Sequence, residues 1–462
     1  MKREDGKGKL SRRSVLGGAA ALASVTIVPR RVLGGAGNEP PSEKIQLAGV
    51  GVGGVGHGQL QACERAGFRI AALCDVDDAY AKRSYDRWPE ARRYRDFREM
   101  LEAEDDKIDA VYCGTPDHTH AIITLAALRK KKHVCCVKPL TRTIAECRTV
   151  VRAAERAGVA TQVTASPNTT EKGCRTCELI WAGAIGPVRE VHIWSNRPLW
   201  PQGMLPPEDH DPVPSTLDWD LWIGPAPMRP FKAHWPEGHY ALEMLQSVRR
   251  APRTAVYHPW NFRGWWDFGT GALGDMGCHH LNTPFRALKL TYPTQVTASA
   301  TKVFDQTAPL GSMVSYEFPA REEMPPVRVV WYDGGLKPPY PPELEGRPLP
   351  ASGEMYVGEE GKMLGAAILP AERAKKFAGV PKTLPRRAGT WGEWMEACKG
   401  GGPAGCDFPW AGLLTDFVLI GNIAIRTGKP LAWDGPNMRV TNCEEANRYI
   451  TEPYHNGWSL DV

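Results

Sequence analysis

The stretch GVGGVG at residues 51–56 decides the fold. It follows a short apolar run (residues 44–50) that predicts a β-strand, and it precedes a predicted helix over residues 58–66. A G-x-G-x-x-G turn between a strand and a helix binds the pyrophosphate of a dinucleotide, because its bare backbone allows a tight turn and close approach of the ligand. Gly51, Gly53 and Gly56 are therefore predicted to bind a cofactor, although residues 49–54 fit the same pattern.

An acidic residue stands at the distance that this motif requires. Asp75 follows the second predicted strand (residues 68–74) and lies 19 positions after Gly56. In dinucleotide-binding folds a carboxylate at this place accepts a hydrogen bond from the ribose 2′-hydroxyl and repels a 2′-phosphate. The cofactor is therefore predicted to be NAD rather than NADP.

Predicted strands and helices alternate from residue 44 to residue 166, and this alternation ends there. Short apolar strands separated by helices predict a parallel sheet covered on both faces, which is the α/β Rossmann architecture. The second part predicts an α+β domain with a large open, mainly antiparallel sheet, interrupted by a Pro- and Trp-rich stretch with little regular structure. Its main predicted helices and strands cover residues 272–289, 296–303, 312–318, 327–332 and 411–427.

The N-terminal segment has the pattern of an export signal. Arg12 and Arg13 precede an uncharged, mostly apolar run of 14 residues, shorter than the ~20 residues that span a bilayer. An amphipathic helix is the alternative, but the run has no polar face. We divide the chain into a twin-arginine signal (1–36), a linker (37–43), an NAD-binding Rossmann domain (44–166) and a substrate and oligomerisation domain (167–462). We expect a periplasmic or extracellular protein without a stable membrane anchor, because we find no second apolar run of sufficient length.

Charge and cysteine content bear on the class of partner. Residues 1–36 carry eight Lys or Arg and two acidic residues, so the formal net charge of +5 leaves −1 for the rest of the chain. Nothing basic is left to attract a nucleic-acid backbone, and no nucleic-acid partner is expected. Several of the twelve cysteines lie in apolar, strand-like runs such as residues 133–137, which predicts buried free thiols.

Three further motifs follow in order: TPDHTH at residues 115–120, VKP at 137–139 and DMGCH at 275–279. With the glycine-rich turn they resemble the T-P-x-x-x-H, E-K-P and D-x-x-x-H motifs of the Gfo/Idh/MocA oxidoreductases. From residue 44 onward the chain is similar to the secreted bacterial branch of that family. Val137 departs from the pattern, because the family has a glutamate before its catalytic lysine, and this leaves the tuning of the lysine open.

The resemblance implies roles for the motif residues. Lys138 binds the reacting oxygen and steadies negative charge on it, and His279 is the general base. Asp275, four residues earlier on a predicted helix, orients His279, although an ordinary pair on one helix face is the alternative. The implied cofactor contacts are Thr115, Pro116, His120 and Lys138; His120 could equally cap or pack its helix.

On the substrate side we name Tyr257, Arg263 and Trp266, each of which could equally serve in packing. A metal site at Asp275, His279 and His280 is not expected, because adjacent histidines share a helix face poorly.

These features predict an exported NAD-dependent oxidoreductase that acts on a secondary hydroxyl of a sugar or sugar-like polyol. Its cofactor must be tightly held, since free NAD is not expected outside the cytosol. The alternative is an NAD-assisted glycoside hydrolase or lyase that works by transient C3 oxidation and elimination, with His258, Asp267 and His280 available as further acid–base groups. A catalytically silent sugar-binding relative is a third hypothesis, which the retained Lys138 weakens.

Eight tryptophans lie from Trp194 to Trp266, just before the Asp275 motif. Loops at this place are expected to face the nicotinamide, where flat aromatic rings suit the C–H face of a pyranose. The expected partners are therefore a small carbohydrate and, because the open sheet of this family commonly pairs between subunits, a second copy of the chain through the C-terminal sheet.

Overall fold

The predicted β-α-β pattern forms a six-stranded parallel sheet. This computed structural model describes residues 44–165, 167–246 and 254–461. The strands are β1 (Gln46–Val50), β2 (Arg69–Cys74), β3 (Arg92–Tyr94), β4 (Ala110–Cys113), β5 (His133–Cys136) and β6 (Thr161–Val163). Their order across the sheet is β3-β2-β1-β4-β5-β6, so β1 lies inside it.

Helices connect these strands, and their ends follow local chemistry. At the start of the last one, Thr143 and Glu146 form a reciprocal capping box, and Gly158 ends it with a φ of 63°. The helices are α1 (Val55–Ala66), α2 (Asp78–Arg87), α3 (Phe97–Ala103), α4 (His120–Arg129) and α5 (Ile144–Ala157).

The second sheet has nine strands and is mainly antiparallel, which confirms the predicted fold class. The strands are β7 (Val188–Trp194), β8 (Gln295–Ala300), β9 (Ser312–Phe318), β10 (Val327–Tyr332), β11 (Gly353–Gly358), β12 (Lys362–Leu364), β13 (Ala367–Leu369), β14 (Leu431–Asp434) and β15 (Arg439–Val440). Their order across the sheet is β13-β12-β11-β7-β10-β9-β8-β14-β15. One pair differs: β10 runs parallel to β7, while it runs antiparallel to β9.

The single helix predicted over residues 272–289 is two helices in the structure. Pro284 lacks a backbone N–H and cannot donate to the carbonyl of His280, so the helix ends there and a second one starts. The helices of this part are α6 (Glu171–Trp181), α7 (Trp219–Ile223), α8 (Ala241–Gln246), α9 (Gly271–His280), α10 (Asn282–Leu288), α11 (Ala371–Lys376), α12 (Gly389–Cys398) and α13 (Phe408–Thr427).

Helix α13 is the central core helix. It packs on α9, α5 and β8. Its most apolar 18-residue window has a mean hydropathy of 1.5, enough by length and composition to cross a membrane, and this corrects our expectation that no second run is long enough. Because 83% of that window is buried inside the fold, the helix has the character of a core element.

The Trp-rich stretch forms a separate hydrophobic cluster. Trp219, Trp222, Trp265 and Phe268 pack together there, with Trp219 and Trp222 stacked at 4.6 Å between ring centres. Seven of the eight tryptophans are buried, so packing accounts for more of them than the predicted sugar site required. Their main contribution is apolar packing, since this stretch lacks the strands that would otherwise bury its backbone.

Some predictions concern residues beyond those described. The predicted signal (1–36) and linker (37–43) lie outside the described residues, as does Ser166, where we divided the domains. Ile45–Val462 form one compact unit, and the division within it stays a prediction. All twelve cysteines are free thiols, and ten of them are buried.

Gly421 lets α13 approach β9 and α9, and enlarging it tests this packing. A Cβ at Gly421 would lie 1.9 Å from Tyr316 Oη and 2.7 Å from Leu273 Cδ2. We expect Gly421→Ala to lower the free energy of unfolding by about 1–3 kcal/mol through overpacking, despite the higher helix propensity of alanine. Thermal or urea unfolding measures this, with Gly402→Ala as the control, because a Cβ there meets nothing within 4 Å. An unchanged Tm for Gly421→Ala would contradict the packing.

Candidate active site

The glycine-rich turn has the shape that a dinucleotide requires. Gly51 follows β1 with a φ of +74°, and a Cβ on it would lie 2.7 Å from the backbone of Gly114. A Cβ on Gly56 would lie 2.1 Å from the carbonyl oxygen of Gly51. These contacts place the motif at residues 51–56, since Gly49 is inside β1. The bare backbone at the carboxyl end of β1, before the N-terminus of α1, fits a pyrophosphate.

Asp75 holds this turn from the next strand. Its Oδ2 accepts hydrogen bonds from the backbone N–H groups of Val52 and Gly53, both at 2.9 Å, and its Oδ1 accepts one from Asp77 at 3.1 Å. Burial raises the pKa of Asp75, although these hydrogen bonds oppose the shift. Asp75 therefore shapes the turn directly, and its predicted bond to a ribose stays a prediction.

A cavity of about 320 Å³ runs along the carboxyl ends of the parallel strands. This is where open parallel sheets bind their ligands. It brings together eight of the residues predicted from the sequence: Gly51, Gly53, Asp75, Thr115, Pro116, Lys138, Arg263 and His279.

A carboxylate lies between two cations beside the cavity. Lys138 Nζ and Arg263 Nε both donate to Asp275 Oδ1, the latter over 2.9 Å. Burial alone would raise the pKa of Asp275, but the charges of Lys138 and Arg263 outweigh it and hold that pKa well below its ordinary value. Asp275 is thus ionised and fixes the position of the Lys138 ammonium.

His279 presents an unprotonated imidazole to the cavity. Burial and the nearby charge of Lys138 lower its pKa to about 3, although Asp275 opposes the shift. No hydrogen bond joins its ring to any residue that the structure describes. Among the described residues the ring does not donate to Asp275, which we expected to orient it, because that carboxylate accepts from Lys138 and Arg263 instead. The neutral ring is free to accept a proton.

Comparison with known proteins identifies the N-terminal part of the fold. The model of the Gfo/Idh/MocA family, an oxidoreductase family with an NAD-binding Rossmann fold, matches residues 45–165. Those residues match the NAD-binding part of that family, in agreement with the resemblance seen in the motifs. The family's fold accounts for a nicotinamide dinucleotide as the class of cofactor.

The individual relatives of this chain are distant. Inositol 2-dehydrogenase of Salmonella typhimurium is 26% identical over 216 residues, which are 46% of this chain and 62% of that protein. An α-N-acetylgalactosaminidase of Shewanella oneidensis is 28% identical over 127 residues, 25% of this chain and 27% of that protein. The crystal structure of the WlbA dehydrogenase from Bordetella pertussis, in complex with NADH and UDP-GlcNAcA, matches with a TM-score of 0.55 at 15% identity and covers 84% of this chain and 99% of that one. The chain thus spans about three fifths of the length of the first curated relatives. At 15% identity, the likeness to the WlbA crystal structure supports the fold alone.

His120 of the Gfo/Idh/MocA motif does not line the cavity. It is fully buried, and its Nδ1 and Nε2 lie 2.8 Å and 2.9 Å from the carbonyl oxygens of Pro139 and Thr115. It therefore ties the Thr115 turn to the segment that carries Lys138, and it is a positioning residue. Its position decides between our two hypotheses for it in favour of packing.

Two of the three predicted substrate residues lie away from the cavity. Tyr257 packs edge-on against Trp265 at 4.9 Å in the aromatic cluster. Trp266 faces the guanidinium of Arg426, whose Cζ lies 5.3 Å from the ring centre. Both are corrections to the predicted site, and their burial gives the reason. Arg263 is the one of the three that the fold brings to Lys138.

Several cavity residues escaped the sequence analysis. Trp222 and Trp260 come from the aromatic stretch, Asp117 from the turn before α4, and Trp458 from the last described segment. His258, which the sequence analysis named as a candidate acid–base group, also lines the cavity, and its Nε2 lies 3.0 Å from Asp77 Oδ2 across 181 residues of chain. Asp117 lies inside the motif TPDHTH and could have been found there, whereas no local pattern singles out Trp222, Trp260 or Trp458.

One group of possible metal ligands, Cys113, His120 and Cys136, lies buried beneath the Thr115 turn. Both ring nitrogens of His120 already face carbonyl oxygens, so the group does not suit an ion.

His280 lies outside the cavity, where its Nε2 is buried without a partner among the described residues.

The backbone conformation of Gly51 gives a test of the cofactor site. We expect Gly51→Ala to weaken dinucleotide binding by roughly tenfold or more, because alanine resists a positive φ and its methyl group meets the Gly114 backbone. Titration calorimetry with NAD measures the loss. Gly58→Ala on α1 is the matched control, since a Cβ there meets nothing within 4 Å. Equal affinity of both variants would refute the assigned turn.

The imidazole of His279 gives a test of the charge arrangement. We expect it to titrate near pH 3, and Lys138→Met to move the midpoint upward, because removing a nearby cation makes the protonated ring less unfavourable. NMR of the histidine ring signals, assigned with a His279→Asn variant, measures both midpoints. Lys172→Met is the control: it should raise the midpoint of His280, on which Lys172 acts, and leave His279 unchanged. A midpoint near the ordinary 6.5 in the unaltered protein would contradict the geometry.

Proposed function

We propose that this protein is an NAD-dependent oxidoreductase that acts on a secondary hydroxyl of a sugar or sugar-like polyol. The observation that carries the proposal is the cluster of Lys138, Asp275, Arg263 and His279 at the end of the cavity that also holds the glycine-rich turn. The inositol dehydrogenase relative supports the class of substrate, because inositol is a polyol with secondary hydroxyls.

The chain's own residues supply proton transfer and charge. Lys138, held by Asp275, donates a hydrogen bond to the substrate oxygen and stabilises negative charge as the hydroxyl proton leaves. The unprotonated ring of His279 accepts that proton. Arg263 keeps Asp275 ionised, so that the ammonium stays aimed into the cavity. The bound nicotinamide would supply the acceptor for the hydride.

NAD rather than NADP is the proposed cofactor. In Rossmann folds the acid after the second strand stands where a 2′-phosphate would come, and Asp75 follows β2 and lines the cavity. Its carboxylate would repel a phosphate, although Arg95 also lines the cavity and is paired with Asp78.

We further propose that the protein is exported by the twin-arginine pathway with its cofactor already bound. Buried free thiols suit folding in a reducing compartment before export.

We also propose that the protein forms homo-oligomers. Strands β8 and β9 offer an exposed face for this contact, with Thr297, Ser299 and Met313.

A second candidate is an NAD-assisted glycoside hydrolase or lyase, which the Shewanella α-N-acetylgalactosaminidase relative favours. It requires a further acid near the substrate. Of our three predicted candidates, His258 lines the cavity but pairs with Asp77, Asp267 pairs with Arg229, and His280 lies outside. Asp117 fits better: it lines the cavity, accepts a hydrogen bond from Thr270 at 2.8 Å, and burial raises its pKa.

Activity without added cofactor distinguishes the two candidates. The purified protein is incubated with free sugars plus a carbonyl acceptor, and separately with aryl glycosides. A keto sugar whose formation depends on the acceptor supports the oxidoreductase, and release of the aglycone supports the hydrolase. We expect Lys138→Ala to lower either activity by about 10²–10³-fold and His279→Ala by about 10²–10⁴-fold.

Lys429→Ala at an exposed ion pair is the matched control and should keep full activity. If Lys138→Ala turned over at the unaltered rate while circular dichroism showed an intact fold, the assigned site would be wrong. Absence of bound or bindable dinucleotide would remove both candidates.

A further inference from the structure

The last described segment, residues 454–461, reaches the cavity through Trp458. Its middle is anchored to the loop after α7: the backbone N–H of His455 donates to the carbonyl oxygen of Pro225 at 3.0 Å. The side-chain amide of Asn456 donates to the carbonyl oxygens of Gly224 and Ala226, both at 2.9 Å. These bonds fix the segment to the aromatic stretch on one side of the cavity.

On the other side, Trp458 rests on the nucleotide-binding domain. Its ring stacks on Phe97 with 5.9 Å between centres and 23° between planes, and Arg98 Cζ lies 4.4 Å from its centre. Phe97 begins α3 directly after β3, and both aromatic rings line the same cavity as Asp75. The segment therefore bridges the two walls of the cavity at the end near Asp75.

The aromatic stretch is hydrogen-bonded to the loop at the same end of the cavity. The backbone N–H of Asp78 donates to Thr216 at 3.0 Å, and that of Asp218 donates to Val76 at 2.8 Å. His258 adds its bond to Asp77. The loop that follows Asp75 is thus held by a segment more than a hundred residues away, and it has little freedom to open by itself.

We propose that residues 454–461 are a retaining strap for the dinucleotide, with Trp458 as the side chain that closes the cavity over its adenosine half. The proposal rests on the proposed function, because it needs a dinucleotide in the cavity. In Rossmann folds the acid after the second strand marks the ribose next to the adenine, and Trp458 lines the cavity at that end. An indole at this position contributes stacking area that must be lost before the ligand leaves. The strap would keep the cofactor bound where none is available for rebinding.

The rate of dinucleotide release tests the proposal without any measurement of turnover. The full-length protein is loaded with fluorescent etheno-NAD and chased with excess NAD, and the nucleotide carried through purification is quantified after denaturation. We expect Trp458→Ala to release etheno-NAD roughly 10–100-fold faster and to carry less nucleotide, whereas Trp458→Phe retains most of the slow release. Trp181→Ala is the matched control, since Trp181 is exposed and distant from the cavity lining.

Asn456→Ala gives a second test that leaves the cavity lining intact. It removes the two side-chain bonds to the loop after α7, keeps the backbone bond of His455 to Pro225, and should also accelerate release. This variant decides the matter if Trp458→Ala does not fold. Release as slow as in the unaltered protein, from folded Trp458→Ala or otherwise from Asn456→Ala, would overturn the strap while leaving the proposed function intact. An unaltered protein that binds no dinucleotide would overturn the proposed function as well.

Discussion

The rest of the site depends on the buried ion pairs that the carboxylate of Asp275 forms with Lys138 and Arg263. Each partner comes from a different part of the fold: Lys138 follows β5 of the parallel sheet, Asp275 lies on α9, and Arg263 lies in the aromatic stretch. A buried charge is costly unless it is paired, so the three parts must meet for any of the charges to be tolerated. Against the effect of burial, the charges of Lys138 and Arg263 lower the pKa of Asp275, which is ionised. Burial and the charge of Lys138 lower the pKa of His279, whose imidazole is neutral.

The aromatic stretch explains how the site is enclosed. Its tryptophans bury one another in a cluster of their own, and this packing holds Arg263, His258 and Trp222 in place at the cavity. Function therefore depends on most of these aromatic rings indirectly, through the walls that they support. The sequence suggested a sugar site lined by many tryptophans. In the structure few of these tryptophans reach the cavity, and the others form a rigid aromatic support for its walls.

Much of the fold could be predicted because its signals are local. The strands Ser312–Phe318 and Val327–Tyr332 were predicted with their observed bounds, since the apolar pattern lies within each segment. Lys138, Asp275 and His279 could be named because family motifs surround them. Tyr257 and Trp266 were misplaced because no local pattern distinguishes a buried aromatic ring from one that faces a ligand.

The amino-acid sequence by itself determined the Rossmann topology, the glycine-rich turn and the identity of the charged motif residues, because these follow from short-range spacing and backbone freedom. Only the tertiary structure decided the partner of Asp275, the buried position of His120 and the approach of His258 and Trp458 to the cavity. Those contacts join residues separated by up to several hundred positions, as between Trp458 and Phe97. Such pairs are chosen by packing and by the need to neutralise buried charge, and both are settled only when the whole chain has folded.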